Sequence, residues 1–241
     1  MNLKLTLFLC SVFFFTSSFC QKLVSDTSGT RLIKKSLELY EDYMGPQAAI
    51  YNGAEYVPFL FKREGTPFYE SDIPVNGLVS YQHYLYNPIA LQYDVSRGQV
   101  IILNYNQKTR LFLENSVIDS FYFAHHTFIR LEENASQNLT NTGFYEVLLN
   151  GNIKVLANRK KNFKETIKEN QLVRIFNILD QFYIKKNGKY FEVKNQKDVF
   201  RVLGDKKNEV KRQMRQQKIK FRQKYFEGGL LVAAKIYDQL T

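Results

Sequence analysis

The chain has 241 residues, with 34 Lys and Arg against 23 Asp and Glu, for a formal net charge of +11. Its two cysteines, Cys10 and Cys20, both lie close to the N-terminus, so the rest of the chain excludes a disulfide framework, Cys-ligated zinc and thiol nucleophiles. Stability must come from burial, which the length allows in one compact domain or two closely packed lobes.

Lys4 and the apolar run from Leu5 to Phe15, broken only by Thr6, Cys10 and Ser11, read as an export signal for residues 1–20 with cleavage after Cys20. The run is too short for a stable membrane span. Lipidation at Cys20 is the rival reading, but it calls for a small residue where Phe19 stands. The expectation is therefore an exported chain, periplasmic or secreted, with outer-membrane association as a further option and no transmembrane helix in the mature part. Residues 21–47 supply a polar lead-in and one short helix, Arg31 to Met44, with Leu32, Ile33, Leu37, Tyr40 and Met44 at helical spacing before the Gly45-Pro46 stop.

From Ala48 the pattern is β. Glu55–Lys62 is a strand candidate that Pro58 restricts to an edge, and the stretch from Gly65 to Gly77 is loop. Short β-branched or aromatic runs follow at Leu78–Leu85, Ala90–Asp94, Gln99–Asn104, Arg110–Leu113, Ser120–Phe123 and Thr127–Leu131. A polar loop, Glu132–Thr142, carries two N-glycosylation-like patterns at Asn134 and Asn138. Phe144–Leu149 and Ile153–Asn158 form a hairpin whose Asn150-Gly151-Asn152 turn supplies residues tolerant of positive φ. Its irregular alternation suggests an arm buried on both faces. Residues Asn162–Asn170 are charged and poorly periodic, Arg174–Leu179 and Phe182–Lys185 are strand-like, and Asn187-Gly188 turns the chain into Tyr190–Val193.

Asn195 with Asp198 marks a capped helix, Asp205 is expected to cap a second helix through about Gln217, and Glu227–Leu240 forms a docking helix. The fold class expected is thus α+β. It comprises a β-rich antiparallel sandwich or half-open barrel over 48–193, an N-terminal helix, and a basic C-terminal helical segment, 194–241, packed on the body.

Charge is uneven along this order. Residues 21–150 hold 10 basic and 14 acidic side chains, net −4, whereas residues 151–241 hold 23 basic and 9 acidic, net +14. Such asymmetry points to an anionic counterpart, set against the plainer reading of a solvated lysine-rich face. The residues that would carry contact are Lys207, Lys211, Arg212, Arg215, Lys218, Lys220 and Arg222. An envelope protein, an anionic lipid or an acidic polymer suits an exported chain as partner; nucleic acid does not. Tyr81, Tyr84 and Tyr86, with Tyr93, make a candidate aromatic binding face, and half-buried sheet packing explains them as well.

No nucleophile elbow, P-loop, H-E-x-x-H or dinucleotide fingerprint occurs. Of the three histidines, His83, His125 and His126, the last two are adjacent in an expected strand and would point to opposite faces. A His83 site with Asp94 or Asp119 is geometrically open. No catalytic residue, metal ligand or cofactor is assigned, and an enzyme, a hydrolase in particular, ranks last among the readings. A small-ligand carrier with an aromatic-lined cavity is the alternative to an anion-binding envelope protein.

The segments Ile50–Tyr56, Gly65-Thr66-Pro67-Phe68, Leu91–Asp94, Gly143–Leu148 with Lys160-Lys161, and Tyr237-Asp238 together resemble an uncharacterised family of exported proteins from Bacteroidetes-type Gram-negative bacteria. The resemblance spans roughly Tyr51 to Leu240. It implies an envelope compartment and no activity or site residue.

Overall fold

The computed structural model describes residues 48–58, 61–222 and 225–241, plus helical positions at 29, 31–33, 35, 36 and 39. The chain separates into two contact units, Met1–Gly45 and Pro46–Thr241. In the first, Leu32 and Ile33 are exposed; the expected signal at 1–20 and the helix positions Leu37, Tyr40 and Met44 lie outside the described residues. Everything below concerns the second unit.

Its strands are β1 (Ala54–Glu55), β2 (Lys62–Glu64), β3 (Val75–Tyr81), β4 (Tyr84–Asp94), β5 (Gln99–Leu103), β6 (Arg110–Phe112), β7 (Ile118–Phe123), β8 (His126–Leu131), β9 (Gly143–Asn150), β10 (Lys154–Asn158), β11 (Lys161–Lys168), β12 (Gln171–Ile178), β13 (Gln181–Lys186) and β14 (Lys189–Val193). Helices α1 (Gln196–Val202), α2 (Lys207–Gln216) and α3 (Phe226–Gln239) end the chain. Eleven strands form one antiparallel sheet in the order β1-β6-β5-β4-β3-β7-β8-β9-β10-β13-β14, and β11-β12-β2 form a small second sheet. The fold is α+β and β-rich, with the long sheet open at its β1 and β14 edges rather than closed into a barrel.

That sheet curls. Four strand spacings separate β4 from β9, roughly 19 Å if the sheet were flat, yet the rings of Tyr93 on β4 and Phe144 on β9 lie 5.9 Å apart. The hollow between them is filled with aromatic side chains: Phe121 stacks on Phe128 at 4.8 Å, and Tyr93 meets both edge-on at 5.3 Å. A second core packs β9, β10, β13 and β14 against the three helices through Val155, Ile184, Val199, Val210, Leu230 and Ala234. A third cluster, Leu139, Tyr145, Leu156, Tyr183 and Tyr190, lies apart from both. Phe144, Tyr145 and Leu149 on β9 feed all three, so this arm is buried on both faces as its irregular pattern suggests.

Several expectations are corrected. Leu78–Leu85 is not one strand but a hairpin, because Gln82 and His83 take φ of 50° and 66° and reverse the chain. Ala124 and His125, at 49° and 67°, do the same between β7 and β8, and Glu169 and Asn170, at 50° and 57°, between β11 and β12. Two consecutive positive-φ residues are the mark of a type I′ turn, here built largely without glycine. His125 is therefore a turn residue, not a strand neighbour of His126. The stretch 162–170 is a hairpin strand and its turn. β4 runs unbroken through Asn87-Pro88, joining the end of the expected Leu78–Leu85 run to Ala90–Asp94, and the Glu55–Lys62 candidate yields only Ala54–Glu55 and Lys62 onward as strand. None of Asn150, Gly151 and Asn152 has positive φ. Gly151 is needed for a different reason: a Cβ there would collide with the Asp238 carboxylate from α3.

Candidate functional site

The C-terminal helices are capped differently from one another. Asn195 Oδ1 accepts from the amides of Lys197 and Asp198, as its position before α1 predicts. Asp205 does not cap α2; Lys206 holds the N-cap position with no side-chain bond. The Asp205 carboxylate instead takes hydrogen bonds from Lys186 Nζ at 2.5 Å and Tyr237 Oη at 3.0 Å, tying β13 to α3. Val210 and Met214 alone bury α2, leaving its other faces to charge.

Beyond Gln216 the chain makes a Schellman turn. The Ile219 amide bonds to Met214 O at 2.9 Å and the Lys218 amide to Arg215 O at 3.0 Å. Ile219 then packs into the helical core. Lys218 occupies the left-handed position, φ 56°, where glycine is favoured. The turn brings Arg215, Lys218, Lys220 and Arg222 around one open recess of about 510 Å³ floored by Ile219. Among the described residues none of these four has a carboxylate within 4.0 Å. Lys207, Lys211 and Arg212 lie earlier, on α2; Lys211 Nζ sits 4.9 Å over the Phe200 ring rather than at the recess.

The tyrosines share a sheet face, since Tyr81 pairs directly with Tyr84 and Val79 with Tyr86. Tyr81 is buried and Tyr86 packs on the aromatic core, while Tyr84 is 71% exposed at the hairpin tip. They are core wall and rim. Tyr93 lies within the same core. His83 at the tip stands 3.7 Å from Asp119, and Asp94 is elsewhere, accepting from Tyr56 Oη at 2.8 Å.

Sequence reasoning missed the most heavily charged buried cluster. Arg159 follows β10 and is 9% exposed at its side chain; its Nε donates to Glu146 on β9 at 2.5 Å. Its Nη1 donates to Asp180 at 2.7 Å, and both terminal nitrogens reach Glu227 on α3, at 2.8 and 3.0 Å. Glu146 also meets His126 Nδ1 at 2.5 Å and Tyr69 Oη at 3.2 Å, and Glu70 approaches His126 Nε2 at 3.1 Å. Burial draws the Arg159 pKa down, but the bonds to Glu227 and the charge of Glu146 more than offset it, so the guanidinium is held above its ordinary value. Burial first, then the Glu146 charge, pushes the Tyr69 phenol well above the tyrosine range. Such a phenol is neither base nor nucleophile near neutrality. Every group here already has a partner, and the cluster acts as a brace joining β9, β10 and α3 to the 66–70 segment. Only pairing in space reveals it, for residues 69, 126, 146, 159 and 227 share no sequence spacing.

Among the described residues no group of three or more His, Cys, Asp or Glu is placed to hold a metal ion, and no helix is long and apolar enough to cross a membrane. No family model matches the chain, and no curated protein or solved structure matches it.

Proposed function

We propose that this is an exported, non-enzymatic envelope protein that binds an anionic envelope component, or an acidic face of a partner protein, through its basic C-terminal third. Export rests on the Lys4–Cys20 segment and the family resemblance. Binding is supported above all by Lys218. A lysine held in the left-handed region costs about 1 kcal/mol relative to glycine, and here the turn that holds it presents its charge at an open recess. Arg215, Lys220 and Arg222 beside it complete an exposed cationic patch.

Each cation at an anionic surface contributes about 1 kcal/mol, roughly a fivefold change in affinity. Co-sedimentation with phosphatidylglycerol-containing vesicles, against phosphatidylcholine vesicles, is the test. Binding to the former should fall steeply as salt is raised. Lys218→Gly should leave the fold as stable or more stable while weakening binding about fivefold. Joint neutralisation of Lys211, Arg212 and Arg215 should weaken it further. Binding that ignores salt and all these changes would refute the proposal.

A further inference from the structure

The small sheet ends on a long strand. Among the described residues β11 pairs with β12 alone and stands at the outer edge of the order β11-β12-β2. Ile167 on this strand is 74% exposed, and Phe163 and Leu172, on the same face of the arm, are exposed as well. An edge strand of eight residues is a template for pairing with another strand.

Two hydrogen bonds fix which backbone groups face that edge. Lys160 and Leu179 continue the β11–β12 register, in which Lys161 lies opposite Ile178, and the Leu179 amide donates to Lys160 O at 2.8 Å. Hydrogen-bonded pairs alternate along an antiparallel ladder. Asn162, Lys164, Thr166 and Lys168 therefore turn their main-chain groups toward β12, and the odd-numbered residues turn theirs outward. The Lys161 amide, which leaves the ladder to reach Val95 O at 3.4 Å, obeys the same parity.

The residues of β11 then restrict what can be added. Lys164 and Lys168 guard the edge, as lysines commonly do. Two copies paired about a twofold axis set outward residues against outward residues, so the axis passes through a residue rather than between two. Placed on Lys164, it sets that lysine against itself; on Thr166, it sets Lys164 against Lys168 twice; on Ile167, it sets Glu165 against Glu169 twice. Placed on Phe163, the pairing runs into Lys161, whose amide is already bonded to Val95. Placed on Glu165, it avoids all of these. Phe163 then meets Ile167, Lys164 meets Thr166 and Asn162 meets Lys168. An aromatic residue against a β-branched one is a favourable cross-strand pair, whereas like charges face to face are not. The two Glu165 carboxylates that meet on the axis each accept from Arg174 Nε of their own chain at 2.9 Å.

We propose that β11 is a self-association edge, which joins two copies of this chain antiparallel about Glu165 and merges their three-stranded sheets into one. Each outward pair exchanges two main-chain bonds, and Phe163 of each copy lies against Ile167 of the other. The joined surface is narrow, so the dimer belongs to the weak, reversible class. It does not involve the basic C-terminal recess.

Sedimentation equilibrium of the full chain, carried to about 500 µM for a contact of this class, should show reversible monomer–dimer exchange. Ile167→Pro removes from each copy an amide that β12 does not use, and should weaken the dimer about tenfold with an unchanged circular-dichroism spectrum. Register is tested by oxidation in a chain carrying Cys10→Ser and Cys20→Ser. Glu165→Cys places two thiols at the axis, with Cα atoms about 5.5 Å apart and within disulfide reach, and should give a covalent dimer. Lys168→Cys, opposite Asn162 and about 20 Å from its own copy, should not. A monomer at every concentration, a dimer that a folded Ile167→Pro protein keeps at wild-type affinity, or equal cross-linking at 165 and 168 would each overturn the proposal. The cross-linking pair decides alone if the proline variant does not fold.

Discussion

Replacing Arg159 with Met tests what holds the two halves of the sheet to the helices. The guanidinium makes four close contacts to three carboxylates, and the most buried of these, Glu146, is 3% exposed. Removing one member of a buried ion pair costs about 3–5 kcal/mol; Glu146 keeps the Tyr69 hydroxyl and His126 Nδ1 as partners, which places the loss at the lower end, about 3 kcal/mol. Asp180 and Glu227 are 19% and 35% exposed and can turn to water, so nearly all of the loss belongs to Glu146. Against a typical total of 5–15 kcal/mol this is severe. With a urea slope of about 2 kcal/mol/M, the circular-dichroism midpoint should fall by about 1.5 M or more. Glu146→Gln in the same background removes the stranded charge and should recover part of the loss, giving a coupling of about 1–3 kcal/mol between the two sites. A loss under about 1 kcal/mol for Arg159→Met, or strictly additive effects, would refute the reasoning.

Gly151→Ala should cost about 1–2 kcal/mol, since the new methyl displaces the Asp238 carboxylate that accepts from the Ile153 amide at 3.2 Å; a melting temperature within a degree of wild type would count against the contact. In alkali, burial is the leading cause that raises the phenols of Tyr56, Tyr69 and Tyr93 and pushes Tyr145 up to about 12. Folded values above the unfolded value of about 10 mean a stabilising contribution that is whole below that pH and lost as pH rises through the folded values. Ultraviolet titration near pH 11 should leave these four protonated until urea is added, and simultaneous ionisation of all sixteen tyrosines in the folded chain would contradict their burial.

Elements with strong local chemistry were legible in the sequence. The Asn187-Gly188 turn, the Asn195 cap, the Val210–Met214 stripe and the docking face of α3 all stand where residue type and spacing place them. The hairpins at Gln82-His83, Ala124-His125 and Glu169-Asn170 were not legible, because their first residues, Gln82, Ala124 and Glu169, carry no turn preference and the strand twist on either side imposes the positive φ. The basic recess was half legible. Composition marks the cations of 206–222, but which four converge depends on the reversal at Lys218. The Arg159 brace depends on β9, the end of β10, Asp180 and the start of α3 meeting in space, with Glu227 68 residues away from Arg159, and no local pattern encodes that.

The β9–β10 hairpin is what makes these features one structure. Its first arm gives Phe144 to the aromatic core, Tyr145 to the tyrosine cluster and Glu146 to the brace. Its turn is clamped by Asp238 at the end of α3, and its second arm leads through Arg159 to Glu227 at the start of the same helix. Helix α3 is thus held to the hairpin at both ends, and Phe221, which a Cβ on Gly229 of that helix would strike, ties in the chain that leaves the basic recess. A buried charge cluster is a poor source of net stability but a directional one, and the Arg159 bonds to Glu146 and Glu227 fix how α3 meets the hairpin where apolar packing alone would tolerate a shift.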